Sequence, residues 1–495
     1  MTKLQIKWVT AAMLLSNIIA GMDSTIITTA LPAIVSDLHG IQYMGWIVAI
    51  FLLGMAVCSP LWSKLGQRTS NKFAFQAALL VFIVSSAIEG MAPNIWYFLI
   101  ARFFMGVGAG GMGSLPYIII GEIFPKYYQR SRALGLISAS WGSATIIGPL
   151  IGGWIVDAFS WHWVFYFNLP LGIFTIAVVQ HFYKANPAQK VPAFDLAGSV
   201  ALLIGLSCLL LGIQLVGMAS PAVCAALIIA GLIGLFIMSR IERRAVDPII
   251  PGRIFKNRPL LADFLLFSCA WGGGIAMANY APTWAQGLLA TSALIGGMTT
   301  IPSALTDLTG AQIVPYLQVR FRPATIVFWG LFAILIGTSV MTIAGLHAAF
   351  WVLLVAAFFY GCGTGLIFVM LQVKVQRDAS DQDMAVATSV SYLVRILAQT
   401  MMSAIYGVIM NLTMAYGIRQ AGGKITMKMM NKVSDAESVH ELPQEYLPLM
   451  RQILHASLHN IYLVASIFLV AGILYNWWAA KNYGHNTVMK RESGD

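Results

Sequence analysis

Apolar runs long enough to cross a bilayer as helices, roughly 20 residues each, recur along almost the whole chain from Lys7 to Lys481. Fourteen are read here, near 8–33, 42–62, 72–92, 95–121, 131–157, 161–183, 195–215, 220–240, 260–285, 290–318, 324–346, 349–373, 384–411 and 456–479. In lipid a backbone must satisfy its own hydrogen bonds, so each run is expected to be helical. Only 10% of the residues are charged and 58% are hydrophobic, whereas a soluble domain is about 25% charged. A water-soluble globule is excluded, and an all-α polytopic membrane protein embedded in a lipid bilayer is expected.

The formal charge of +11 raises the question of nucleic acid, and the placement of the basic residues answers it. Of the 30 Lys and Arg residues, 23 lie at the termini or in connections leading from even to odd runs, among them Lys64, Arg68, Lys126, Lys190 and Arg322. The short connections on the other side, around His39, Pro93, Ser160, Ser220, Ala290 and His347, carry none. This positive-inside pattern puts both termini in the cytoplasm. The charge reports topology, and no nucleic-acid partner is implied.

The two longest basic connections, 181–195 and 239–259, flank the seventh and eighth runs. They divide the chain into a six-helix bundle (1–190), two extra helices (191–245) and a second six-helix bundle (246–495). PLWSKLGQR from Pro60 and PYLQVRFR from Pro315 occupy corresponding connections of the two sixes, a weak internal echo. Residues 412–455 are polar, charged and rich in Met, and read as a long extracellular loop, with an interfacial helix around 442–459, that the core does not need. His455 and His459 share a helical face, a spacing open to a metal, but no third ligand is in view, so no metal and no cofactor is expected.

The N-terminal run continues to Ala33 without a small-residue cleavage site, and reads as a retained span. The five cysteines are scattered through apolar runs and read as buried free thiols. GVGAGG at Gly106–Gly111 satisfies a dinucleotide pattern, yet it has no preceding strand and no acidic partner. A glycine face for close helix contact fits it better. There is no complete nucleotide P-loop, HExxH or GxSxG, and no enzyme is implied.

Charges inside apolar runs need a reason, because each costs about 2.5–3.5 kcal/mol on the gentlest insertion scale. Asp23, Arg102, Asp307 and Arg395 are of this kind. For Asp23 and Asp307 a functional role is expected; for Arg395 packing is the plainer reading. Glu89, Glu122 and Asp157 fall near run ends, where water is within reach, and need no special role. Trp46, Tyr117, Trp141, Trp271, Tyr280 and Trp284 are candidates for lining an amphipathic substrate cavity, since aromatic faces attract organic cations; interface anchoring is the alternative for each.

GLISASWGSATIIGPLIGGW (135–154) crowds Gly135, Gly142, Gly148, Pro149, Gly152 and Gly153 into one span, where four-residue spacing of small residues lets a neighbouring backbone approach. The pattern is similar to the antiporter motif of major facilitator drug exporters, with Ala144 in place of its second glycine. DSTIITTALPAI from Asp23, ARFFMGVGAGG with Arg102, and SWHWVFYFNLPLG (160–172) resemble first-, fourth- and sixth-helix motifs of the fourteen-helix drug:proton antiporter family. SPLWSKLGQR (59–68) keeps Lys64, Gly66 and Arg68 of the family's cytoplasmic loop motif. Ser59, Ser63 and Gln67 depart from it, and Ser63 removes the acidic residue of the family's latch.

The resemblance implies the major facilitator fold, with two six-helix bundles and two central extra helices. It also implies a proton-relay role for Arg102, and an antiporter that exports lipophilic, cationic drugs from the plasma (inner) membrane in exchange for protons. The rivals are an exporter of anionic, zwitterionic or lipid-like solutes, and a membrane sensor or scaffold that transports nothing. The partners expected are a small-molecule substrate, protons and the bilayer; oligomeric state is not written in the sequence.

Overall fold

A computed structural model describes residues 2–124, 127–184, 196–216, 219–242, 254–379, 384–434 and 438–483. The expected domain boundaries at 190 and 245 lie outside them, as does Lys190. The side chains of Lys64, Gln67, Gly135 and Trp141 also lie outside the description, although their helices are within it.

Among the described residues the regular structure is helical throughout. The first bundle contains α1 (Lys3–Asp37), α2 (Met44–Arg68), α3 (Asn71–Gly90), α4 (Ile95–Ile123), α5 (Tyr127–Ala158), α6 (His162–Tyr166) and α7 (Asn168–Phe182). A pair follows, α8 (Leu196–Gln214) and α9 (Pro221–Glu242). The second bundle contains α10 (Arg258–Leu289), α11 (Ala293–Met298), α12 (Ile301–Leu317), α13 (Pro323–Ile343), α14 (Phe350–Asp378), α15 (Met384–Gln420), α16 (Met427–Val433) and α17 (Leu447–Tyr483). Eleven helical segments of the described residues are long and apolar enough to span a membrane. Their outward faces expose Ile100, Phe104, Leu232 and Phe236, the surface a lipid-embedded protein presents. This is a multi-pass membrane protein.

Helix ends follow local chemistry. The Asn94 side chain accepts from the Trp96 and Tyr97 amides at the start of α4, and Ser70 from Phe73 at the start of α3, satisfying donors that a helix leaves orphaned. Two expected spans are each broken in two. The 161–183 run divides around Phe167 and the 290–318 run at Thr299–Thr300, because Pro170 and Pro302 take up positions in the first turns of α7 and α12, where proline is tolerated.

Glycines set how closely the helices approach. A Cβ on Gly106 or Gly110 would meet the backbone of Phe51 or Met55 on α2, and one on Gly108 the backbone of Phe82 on α3. The GVGAGG run is therefore the face on which α4 nests between its neighbours.

The first and last described helices begin and finish at the same end of the molecule. α10 and α17 run antiparallel, with Gly273 against Leu469 and Gly287 against Leu454. α1 and α10 run parallel, Gln286 Nε2 donating to the Thr29 carbonyl at 3.0 Å late in both helices. The starts of α1 and α10 and the end of α17 therefore share one end.

At the opposite end the two bundles meet tightly. Gly153 abuts the backbone of Leu294 and Gly297 that of Pro149, while Gly45 meets Ser403 and Gly407. The Asp157 carboxylate accepts both the Ala293 and Leu294 amides at 3.0 Å. The pair α8–α9 packs beside the α2–α15 seam, where Leu202, Leu206 and Leu210 join Ala49, Leu53, Val57 and Ala404.

Residues 412–455, expected as a long loop with an interfacial helix around 442–459, contain helical segments packed on the core. α15 runs on to Gln420 and α17 begins at Leu447. Between them Ile425, Met430, Val433, Val439 and Leu442 are buried in the main core, and Asn431 Oδ1 accepts the Ile41 amide at 3.0 Å. The Met-rich composition that looked surface-like supplies adaptable apolar packing over the closed end. His455 Nε2 lies 2.9 Å from the Ala344 carbonyl, and no group of three metal-ligating side chains occurs among the described residues.

Candidate functional site

The first bundle encloses a charge cluster built from three helices. Arg102 Nη1 on α4 lies 3.1 Å from Asp23 Oδ2 on α1 and 3.5 Å from Glu89 Oε2 on α3. None of the three is more than 2% exposed. The guanidinium also stacks 4.2 Å from the ring centre of Phe51, a cation–π contact that helps a desolvated charge. Asn168, at the start of α7, stands beside Asp23 and donates to Ser86 Oγ at 3.1 Å.

Glu89 corrects the sequence reading. It is the penultimate residue of α3 and was expected to reach water. Instead the chain turns back immediately into α4, and Tyr166 closes over the helix end by donating to the Gly90 carbonyl at 2.7 Å. Neither Glu89 oxygen nor Arg102 Nε has a hydrogen-bond partner among the described residues.

One guanidinium balances one carboxylate. With two carboxylates on one cation, the cluster either carries a net negative charge in a sealed interior or holds a proton, and the first is expensive. Glu89 lies at the end of α3 away from the termini, and Arg102 seven residues, about 10 Å, into α4. The cluster thus sits in the half of the bundle that is closed against the opposite side.

The second bundle disposes its charges differently. Asp307 on α12, half-buried, accepts from Thr364 Oγ1 of α14 at 2.7 Å and has no cation within 4 Å among the described residues. Asp263 on α10, fully buried, pairs with Lys374 of α14. This pair was not anticipated: Asp263 stands five residues past a basic stretch and Lys374 at a run end, so both read as interfacial. Lys374 also lines a surface pocket of about 80 Å³ with Arg322, Arg377 and Asn476, at the end where α17 finishes.

The motif glycines serve two contacts. Gly148 faces Thr25 and Met22 of α1 and Gly152 faces Ile26, inside the first bundle; Gly153 and Pro149 face α11 of the second. Gly66 abuts Asn71, so the α2–α3 turn is tight there, and Arg68 is exposed. Ser59 accepts at its carbonyl from Ser63 Oγ at 3.3 Å and Ser114 Oγ at 3.4 Å.

The five aromatic candidates whose side chains are described do not share one chamber. Trp46 belongs to an edge-to-face trio with Tyr43 and Trp96 at the closed end. Tyr280 and Trp284 lie fully inside the second bundle, near Tyr406 and Tyr462. Tyr117 and Trp271 come from different bundles and flank Arg395, whose guanidinium is 5.2 Å from the Trp271 ring centre.

Residues 13–403 match the family described as Major Facilitator Superfamily. The multidrug transporter protein MdtP of Bacillus subtilis (strain 168) is 27% identical, over 94% of this chain and 91% of its own. The MFS-type efflux pump MFS1 of Trichophyton rubrum is 32% identical over 62% of this chain and 59% of its own. Among solved structures, a bacterial homolog of the human lysosomal transporter Spinster, inward-facing and unoccupied, superposes with a TM-score of 0.70 at 15% identity, covering 97% of this chain and 98% of that one. A D-xylose-proton symporter gives 0.63 at 14% identity over 95% and 97%.

Proposed function

The chain belongs to the Major Facilitator Superfamily, and on that premise we propose that it is a fourteen-helix drug:proton antiporter that expels lipophilic compounds by alternating access. It is a transporter of small molecules, not an enzyme. The observation that carries the proton coupling is the sealed Asp23–Arg102–Glu89 cluster, whose surplus carboxylate requires either a proton or an unbalanced charge. The relatives named as multidrug transporter and efflux pump support the cargo class. The host membrane in this reading is the plasma (inner) membrane, with both termini in the cytoplasm, following the basic-residue pattern.

Asp23 and Asp307 are the groups at which protons and cations compete. Each deprotonated carboxylate attracts a cation facing the cytoplasm, and protonation from outside releases it. With a gradient of about one pH unit and about 100 mV, each entering proton supplies roughly 1.4 plus 2.3 kcal/mol, while expelling a monovalent cation costs roughly 2.3. One proton leaves about 1.4 kcal/mol, a tenfold gradient, whereas two leave about 5. Two titrating carboxylates make the stronger pump.

Asp23→Asn and Asp307→Asn are each expected to cripple proton-driven cation uptake into inside-out vesicles at normal membrane abundance. Wild-type uptake with wild-type pH dependence in both variants would sink this mechanism. A second reading, export of an anionic or zwitterionic solute, is favoured by Arg395, which has no carboxylate within 4 Å among the described residues.

A further inference from the structure

The environment of Arg395 is unlike that of any other described basic residue within a span. Four rings surround its guanidinium: Phe368 at 4.8 Å, Phe267 and Trp271 at 5.2 Å, and Tyr392 at 5.5 Å from ring centre to the guanidinium carbon. Its Nε donates to the Ser391 carbonyl of its own helix at 3.4 Å. A guanidinium has five N–H donors, and the other four have no acceptor among the described residues. Arg102, by contrast, is sealed and sits against two carboxylates.

Packing alone explains this poorly. A charge inside a span costs about 2.5–3.5 kcal/mol, which an aliphatic side chain among the same rings would not incur. The rings partly offset that cost through cation–π attraction, and they fix the guanidinium while leaving N–H groups uncommitted. Arg395 is half-buried, whereas Arg102 is 1% exposed.

The position is at the seam between bundles. Tyr392 approaches Gly113 of α4, its hydroxyl 3.3 Å from where a Cβ would stand, and Tyr117 of α4 is near enough to interact electrostatically with Arg395. Arg395 lies eleven residues, about 16 Å, from the start of α15 at the end bearing the termini. An occupant there touches both bundles away from the tight seam at the closed end.

We propose that Arg395 and its aromatic collar form a receiving site for the anionic group of an aromatic organic acid: the guanidinium edge grips a carboxylate or sulfonate, and the rings cover the flat apolar body. A planar fork of donors matches a carboxylate with two parallel hydrogen bonds. The assignment rests on the second transport reading above, since it makes this anion a cargo, but the site itself can be tested by binding alone.

Purified full-length protein is tested by equilibrium dialysis with two labelled probes that share a ring system and differ in charge, naphthylacetate and naphthylmethyl-trimethylammonium. Wild-type protein is expected to prefer the acetate. Arg395→Gln should weaken acetate binding by roughly tenfold or more, the loss of a charge-assisted pair, and leave the ammonium unchanged or tighter. Arg395→Lys should weaken the acetate by less, because charge remains while the fork is lost. Equal acetate binding in wild type and Arg395→Gln overturns the site. If Arg395→Gln does not accumulate, wild type and Arg395→Lys still decide, and a preference for the ammonium in both overturns it. Repeating the dialysis with phosphatidylglycerol present separates a solute from a lipid headgroup: Arg395-dependent displacement of the acetate by the lipid would overturn the cargo assignment. Intact acetate binding without proton-driven uptake of either probe would refute exchange and support the site.

Discussion

In each bundle a carboxylate on the first span pairs with a cation on the fourth, the divided α11–α12 run counting as one, Asp23 with Arg102 and Asp263 with Lys374. The first pair is sealed in mid-bundle and shares its cation with Glu89. The second lies near the rim, where Lys374 is 16% exposed and water can screen it. Under the proposed function the related helix pairs have different tasks. A one-to-one pair at a wet rim is stable in a single protonation state and suits holding helices together. Two carboxylates on one sealed guanidinium are balanced only when a proton is present, which suits carrying one.

The comparison is broken most severely at Arg102. Arg102→Ala leaves two carboxylates buried without a cation, and breaking a buried pair costs about 3–5 kcal/mol. Loss of membrane abundance and a lowered midpoint of thermal unfolding are expected, with partial recovery when Glu89→Gln is added. No recovery would mean that Glu89 does not share the cation.

Glu89→Gln alone sharpens the contrast. It keeps the shape, removes the surplus negative charge, and is expected to preserve abundance while reducing proton-driven transport roughly a hundredfold, the lower end of what one proton-transfer partner contributes. Transport indistinguishable from wild type across pH would reduce the cluster to the simple pair seen in the second bundle.

At the rim, Lys374→Met strands Asp263, and a loss of about 1–3 kcal/mol is expected, read by thermal unfolding in detergent. Adding Asp263→Leu should return most of it, since an apolar pair can replace a buried ionic one at little cost. Transport in the double variant should stay near wild type. The smallest effect is assigned to Asn431→Ala, which leaves the Ile41 amide without its acceptor. About 1 kcal/mol of stability is expected to be lost, whereas unchanged stability would mean that this contact does not help hold residues 412–455 to the core.

Much of this was legible in the sequence because lipid makes it so. Asp23 and Arg102 interrupt apolar runs, and no other local chemistry explains them. The GVGAGG and GPLIGG stretches could be read as packing faces, because small residues in a span permit close approach. Glu89 was hidden by its position: a carboxylate one residue from a helix end reads as hydrated unless the next helix is known to fold back over it. Asp263 was masked by the neighbouring basic cluster. The collar around Arg395 was illegible for a different reason. Phe267, Trp271, Phe368 and Tyr392 come from three helices, and only the tertiary packing brings them to one point. The divided spans at Phe167 and Thr299 escaped because average apolarity does not register a break in backbone hydrogen bonding.

The cap that Asp157 places on α11 bears on how the closed end opens. The carboxylate belongs to one bundle and the amides it accepts, Ala293 and Leu294, belong to the other. Ser292, however, stands at the head of α11 and accepts the Ile295 amide with its own hydroxyl at 3.4 Å. When the bundles part, Asp157 and the two amides exchange their bond for water, which is nearly neutral in free energy, while α11 keeps its private cap and does not fray. The fastener can therefore be released and remade without refolding the head of α11, whose own Ser292 cap stays in place.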